Sequence, residues 1–216
     1  VITSGGLQVA DWGLYTTIIG AFSLLVLICG IERRGSFSTR QVSVVAVLAA
    51  LCAAGRALTG VGLLFLQPTM FLVEIAGFVM GARAGFFIGA MTPFISNFFM
   101  GQGPWTPWQM LCWGMVGVTG AVLKRFFPRA RNVHLTLVCF LWGYLYGAIM
   151  DIWHWAVFVR PLTLESYILT WLAGFGFDSL RAVGNFLFCA ALGTQSLKIL
   201  EYFHKKMSIQ YLAEQS

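Results

Sequence analysis

Apolar residues run along this chain in long blocks, separated by short polar or basic links. The blocks fall at 12–31, 42–60, 68–82, 85–100, 107–123, 135–157 and 181–203. Several approach ~20 residues, which is what a helix needs to cross ~30 Å of hydrocarbon. They are continuous, whereas membrane barrel strands are short and alternate apolar with polar residues. The pattern predicts an all-α, polytopic helical bundle with seven spans, forming a single transmembrane domain over residues 1–216 with a tail at 204–216. One further segment, LTLESYILTWLAGFGF at 162–177, is apolar but short. Its Leu164, Tyr167, Ile168, Trp171, Leu172 and Phe175 make one helical stripe. That spacing predicts a separate helix lying on the outer face or capping a cavity.

Composition agrees with the pattern. The chain is 58% hydrophobic and only 10% charged, against about 25% charged in soluble domains. Its net charge of +6 reads as basic cytoplasmic loops rather than a nucleic-acid surface. Eleven of the fourteen Lys and Arg fall in links after spans one, three and five and at the C-terminal end. That asymmetry predicts an outer N-terminus and a cytoplasmic C-terminus. Arg33 and Arg34 follow the first span without a small-residue cleavage site, so the span is expected to be an anchor rather than a removed signal. Cys29, Cys52, Cys112, Cys139 and Cys189 lie in apolar runs with no C-x-x-C pair and are expected to be reduced structural thiols.

With the orientation set, seven of the eight tryptophans fall in the outer half: Trp12, Trp105, Trp108, Trp113, Trp153, Trp155 and Trp171. Aromatic belts ordinarily mark both interfaces, so a one-sided layer suggests a cavity open to the outside. Polar residues share that layer: Arg56, Thr59, Gln67, Asn97, Gln102, Gln109, Asp151, His154, Asp178, Arg181 and Asn185. Ionisable groups at membrane depth are costly and face a cavity or a partner. Arg56, Asp151, Asp178 and Arg181 therefore either line a site or form interhelical ion pairs. In GPWTPW, at 103–108, two prolines stiffen the loop. Thr106 is placed to cap a helix opening at Pro107. Glu74, near the middle of span three, calls for a hydrogen-bond partner or a proton. Pro93 predicts a kink in span four.

Span two carries Ala46, Ala50 and Ala54 on one stripe and Ala49, Ala53 and Ala57 on the next. Small residues at that spacing let another helix approach closely, so one stripe can face inward and the other a partner. Gly77/Gly81, Gly85/Gly89 and Gly143/Gly147 repeat the spacing and are expected to pack internally. The chain has no G-x-x-x-x-G-K-[ST] phosphate loop and no G-x-S-x-G or H-E-x-x-H motif. It cannot power transport alone. His134 and His154 lie about 30 Å apart along one helix and cannot share a haem; His154 is a candidate lone metal or cobalt ligand.

The alanine-rich span, the turn MGARAG at 80–85 and the stretch FFMGQGPWTPWQM at 98–110 together resemble the S-components of energy-coupling factor (ECF) vitamin transporters. Cobalamin-type members look most similar. The resemblance covers roughly 40–203, as a six-helix core at 42–203, with 12–31 as an extra N-terminal helix. It implies a bacterial cell-membrane subunit, not an enzyme, that binds a vitamin in an outward pocket and carries no cofactor of its own. It also implies docking on a transmembrane coupling protein that carries two cytoplasmic ATPases. Ala46, Ala50 and Ala54 would face that protein, and loops at 61–67, 101–106 and 158–180 would gate the vitamin. The substrate-binding candidates are Arg56, Gln67, Asn97, Gln102, Trp105, Trp108, Gln109, Asp151, His154, Trp171, Asp178, Arg181 and Asn185. Another vitamin or a queuosine precursor is the alternative cargo. An intramembrane enzyme using Ser96 or a carboxylate with His154, or a purely structural subunit, are the other readings.

Overall fold

A computed structural model describes residues 9–32, 37–62 and 69–213. Those residues form seven helices and no strand: α1 (Val9–Glu32), α2 (Thr39–Gly62), α3 (Met70–Met80), α4 (Ala82–Met100), α5 (Thr106–Phe126), α6 (Asn132–Phe158) and α7 (Leu164–Ala213). The all-α polytopic bundle expected from the apolar blocks is the fold observed. Segments at Thr39–Thr59, Asn132–Phe158 and Leu164–Lys206 are long and apolar enough to cross a membrane on their own.

Helix α3 is the centre of the bundle. It packs on α4, α5, α6 and α7, and Phe71, Val73, Ile75, Ala76 and Phe78 are buried. At 11 residues it covers only about half of the ~30 Å core, so its apolar surface meets protein more than lipid. Glycines let α3, α4 and α5 approach backbone to backbone. A Cβ on Gly77 would strike the Gly117 carbonyl, and one on Gly85 would lie 2.5 Å from the Gly77 Cα. Gly81 differs from the other glycines of the repeat. It has open space around it and φ +94°, and it makes the tight turn between α3 and α4 where a side chain would be strained. Gly143 and Gly147 do pack internally, against Ala182 and the Asp178 carboxylate of α7.

Two expectations need correction. Residues 164–177 are not a separate outer helix; they open α7, which runs unbroken for 50 residues, about 75 Å. No proline interrupts that stretch, and Gly174 and Gly176 alone do not stop a helix held by neighbours. Thr106 is not the cap of α5. Trp105 holds that position without a side-chain cap bond, and the helix begins at Thr106. The Thr106 hydroxyl is used in the polar network described below. Helix α4 continues across Pro93.

Helix α1 lies against α5 and α6 through a specific clasp. The Trp108 indole N–H donates to the Thr16 carbonyl at 3.1 Å. The ring fits against Gly20, where an added Cβ would be 2.9 Å from Nε1. Leu24 packs below it with Phe86 and Ala90. Gly20→Leu is expected to expel the ring at about 1–3 kcal/mol and leave α2–α7 folded. Spin labels at Phe22 and Val122, both exposed, should then show a broadened distance distribution; an unchanged distribution would remove the clasp from the account.

Candidate functional site

One buried polar network joins α2, α4, the following loop and α5. Arg56 Nη1 donates to Ser96 Oγ at 2.5 Å and to Asn97 Oδ1 at 2.7 Å. Asn97 Nδ2 donates in turn to Thr106 Oγ1 at 3.0 Å and Gln109 Oε1 at 2.8 Å. Thr106 donates to Gln102 Oε1 at 2.9 Å, and Gln102 Nε2 closes the chain on the Phe94 carbonyl at 2.9 Å. Gly101, with φ +107°, ends α4 and starts the loop that carries Gln102 back over the helix end. The GPWTPW loop is thus held by hydrogen bonds as well as by its prolines.

Aromatic groups extend the network to α6 and α7. The Arg56 guanidinium lies 5.4 Å from the Trp113 ring centroid, a distance at which the ring's negative face attracts a cation. Trp113 meets Tyr146 edge to face at 6.4 Å. On the far side Arg181 stands 4.7 Å over the Tyr146 ring and pairs with Asp178 at 2.6 Å. Asp178 is seated where Gly147 leaves room.

Between the end of α6 and the start of α7 lies an open cleft of about 770 Å³, lined by Asp151, His154, Arg160, Glu165, Ser166 and Phe177 among others. Trp155 fixes its rim by donating to Ser166 Oγ at 2.8 Å. Asp151 and Asp178 each keep one buried carboxylate oxygen without a donor. The cleft volume lies within the ~300–1,000 Å³ of small-molecule sites.

The structure brings Arg56, Asn97, Gln102 and Gln109 into one network, and Asp178 and Arg181 into the adjoining pair. Asp151 and His154 line the cleft. Trp105 meets Trp153 edge to face at 6.0 Å, and Trp171 packs on Phe175 at 5.6 Å. Trp108 turns away to α1. Asn185 sits deeper, donating to the Cys139 carbonyl and facing Met70 Sδ, each at 3.2 Å. Gln67 and the 61–67 loop lie outside the described residues, apart from the α2 backbone at 61–62, as does the Trp12 side chain. Glu74 accepts a short hydrogen bond from the Cys139 thiol. Cys52, Cys112, Cys139 and Cys189 are free thiols. Ser96 is bound to Arg56 while His154 stands exposed in the cleft against Phe158. Among the described residues, no three His, Cys, Asp or Glu side chains converge as a metal site.

Tyr146 went unnoticed in the sequence. A tyrosine inside an apolar span carries no spacing signal, and only the packing of α5, α6 and α7 places it between two guanidinium groups. The alanine stripes of α2 separate cleanly: Ala49 and Ala53 are buried, while Ala46, Ala50 and Ala54 are exposed.

The family model for the ECF-type riboflavin transporter, S component, matches residues 36–201. No curated protein and no solved structure matches the chain. The match takes in α2 to α6 and most of α7 and leaves α1 outside it. The chain therefore belongs to the ECF-type riboflavin transporter S component family, and is a membrane-embedded, vitamin-binding transport subunit rather than an enzyme.

Proposed function

We propose that this subunit captures one vitamin molecule from the outer side of a bacterial cell membrane and delivers it by docking on a transmembrane coupling protein driven by two ATPases. The observation that carries this reading is the network from Arg56 through Asn97 to Gln109, buried beside Trp113. The exposed face of Ala46, Ala50 and Ala54 suits close approach of a partner helix. The N-terminus is placed outside and the C-terminus in the cytoplasm, on the distribution of Lys and Arg.

For the cargo we propose cobalamin. Its corrin ring offers a broad apolar body for the tryptophans, and its peripheral amides match Gln102, Gln109, Asp151 and Arg181 as donors and acceptors. Riboflavin is the second reading, favoured by the description of the matching family. Calorimetric titration of the purified protein in detergent decides between them. Cobalamin should bind selectively and tightly, with riboflavin, folate and a queuosine precursor as controls. Selective binding of riboflavin would reassign the cargo, and no binding by a folded sample would overturn both cargo assignments.

A further inference from the structure

Among the described residues, Arg56 is a buried cation without a counter-ion. Its exposure is 6%, and the only ion pair among the described membrane-embedded residues is Arg181–Asp178. The groups that satisfy it are neutral: the Ser96 hydroxyl, the Asn97 amide oxygen and the face of Trp113. Both its Nε and the Trp113 indole N–H are buried and find no acceptor among the described residues. A guanidinium at membrane depth carries a large desolvation cost. The two orphaned donors make that cost larger, since each loses its hydrogen bond to water. The bundle could have placed a carboxylate here, as it does for Arg181, and does not.

We infer that Arg56, with Trp113 as its floor, is the anchor for an oxyanion of the cargo, specifically a phosphodiester. This deepens the cargo reading above and rests on it. A phosphate oxygen is the acceptor that the orphaned Nε–H and indole N–H lack, and its charge neutralises the guanidinium. Guanidinium groups suit phosphate because their planar donors bind two oxygens at once. Asn97 and Ser96 then act as positioning residues: they hold one face of the guanidinium and leave Nε to the ligand. Cobalamin carries one phosphodiester in its nucleotide loop, cobinamide has the same corrin without it, and riboflavin has no phosphate. The anchor would therefore separate complete from incomplete corrinoids.

The test compares the wild-type chain with Arg56→Gln, which keeps an amide donor for Asn97 and removes the charge. Both are purified in a phosphate-free maltoside detergent and titrated with cobalamin and cobinamide, and their thermal unfolding is recorded. The wild type should prefer cobalamin, and the variant should lose about 100-fold for cobalamin and little for cobinamide. Its Tm should stay within about 3 °C of the wild type, because a buried charge with neutral partners stabilises little. Equal binding of both corrinoids by the wild type would overturn the anchor. So would a large fall in Tm with both corrinoids weakened alike, which marks a structural arginine. If no corrinoid binds, the cobalamin assignment fails separately, and flavin mononucleotide against riboflavin decides the anchor. A preference for the phosphorylated flavin that vanishes in Arg56→Gln retains it; no preference overturns it. A rise in wild-type Tm on adding phosphatidylglycerol, absent in the variant and without corrinoid discrimination, assigns the phosphate to a lipid headgroup and overturns the cargo role.

Discussion

Gly77→Val is expected to prevent the bundle from assembling. A Cβ there would overlap the Gly117 carbonyl and lie 3.0 Å from the Gly117 Cα. Most overpacking substitutions are relieved by rotation of a flexible neighbour. Here the neighbour is backbone, held within its own helix by its ladder of hydrogen bonds. Relief requires α3 to move away from α5, and α3 is the element on which α4, α5, α6 and α7 all pack. The loss should sit at the top of the range for single substitutions, about 4–5 kcal/mol or more. It is read as loss of the monodisperse peak in size-exclusion chromatography after detergent extraction. Gly55→Ala is the matched control. Gly55 has no atom within 4 Å of its would-be Cβ, so alanine should stabilise α2 by about 0.5–1 kcal/mol. Normal recovery of Gly77→Val would mean that the three helices do not meet by their backbones.

Asn97→Leu should remove vitamin binding and weaken the bundle together. Asn97 is 1% exposed and is the one residue joined to Arg56, Thr106 and Gln109 at once. Leucine fills the space but leaves three buried groups short of a partner, at about 1–3 kcal/mol each before relaxation. The α4–α5 loop then loses its fixed position, and binding should fall at least about 100-fold, since ordering that loop must be repeated on each binding event. Asn97→Asp separates the two effects. It gives Arg56 a carboxylate but loses the donor to Thr106 and Gln109, so the thermal midpoint should fall less than in Asn97→Leu, while a phosphate-bearing cargo is repelled and its site on Arg56 neutralised. Retained cobalamin binding in both variants, measured by calorimetry, would place the vitamin away from this network.

Much of this was legible in the sequence because the membrane makes it so. Backbone groups in lipid must bond within their own helix, so long apolar runs mean helices and their ends can be read from charged links. The polar residues near the ends of the spans stood out for the same reason: Arg56, Asn97, Gln109, Asp178 and Arg181 are costly where they are unless they meet something. Trp108 shows the limit. It stands beside Trp105 in one rigid loop, yet the two indoles go opposite ways, one to Trp153 and the other to the Gly20 notch of α1. Residues three apart at a helix start lie within about 60° of one another, so spacing alone would put both rings on one side, and only the packing of α1 and α6 draws them apart.

The sequence by itself determined the class, the positions of the apolar spans, the two faces of α2 and the residues that had to be explained. It did so through composition and periodicity, which are local and are enforced by the bilayer. Tertiary structure decided which of those residues touch. It continued 164–177 into α7 rather than leaving it as a separate outer helix, because α6 packs along that stretch and no proline stops it. It moved the Thr106 hydroxyl from a helix cap to Asn97, and it put Tyr146 between Arg56 and Arg181. Among the described residues it also left Arg56 without a carboxylate, a fact about distances between three helices that no single stretch of the chain contains.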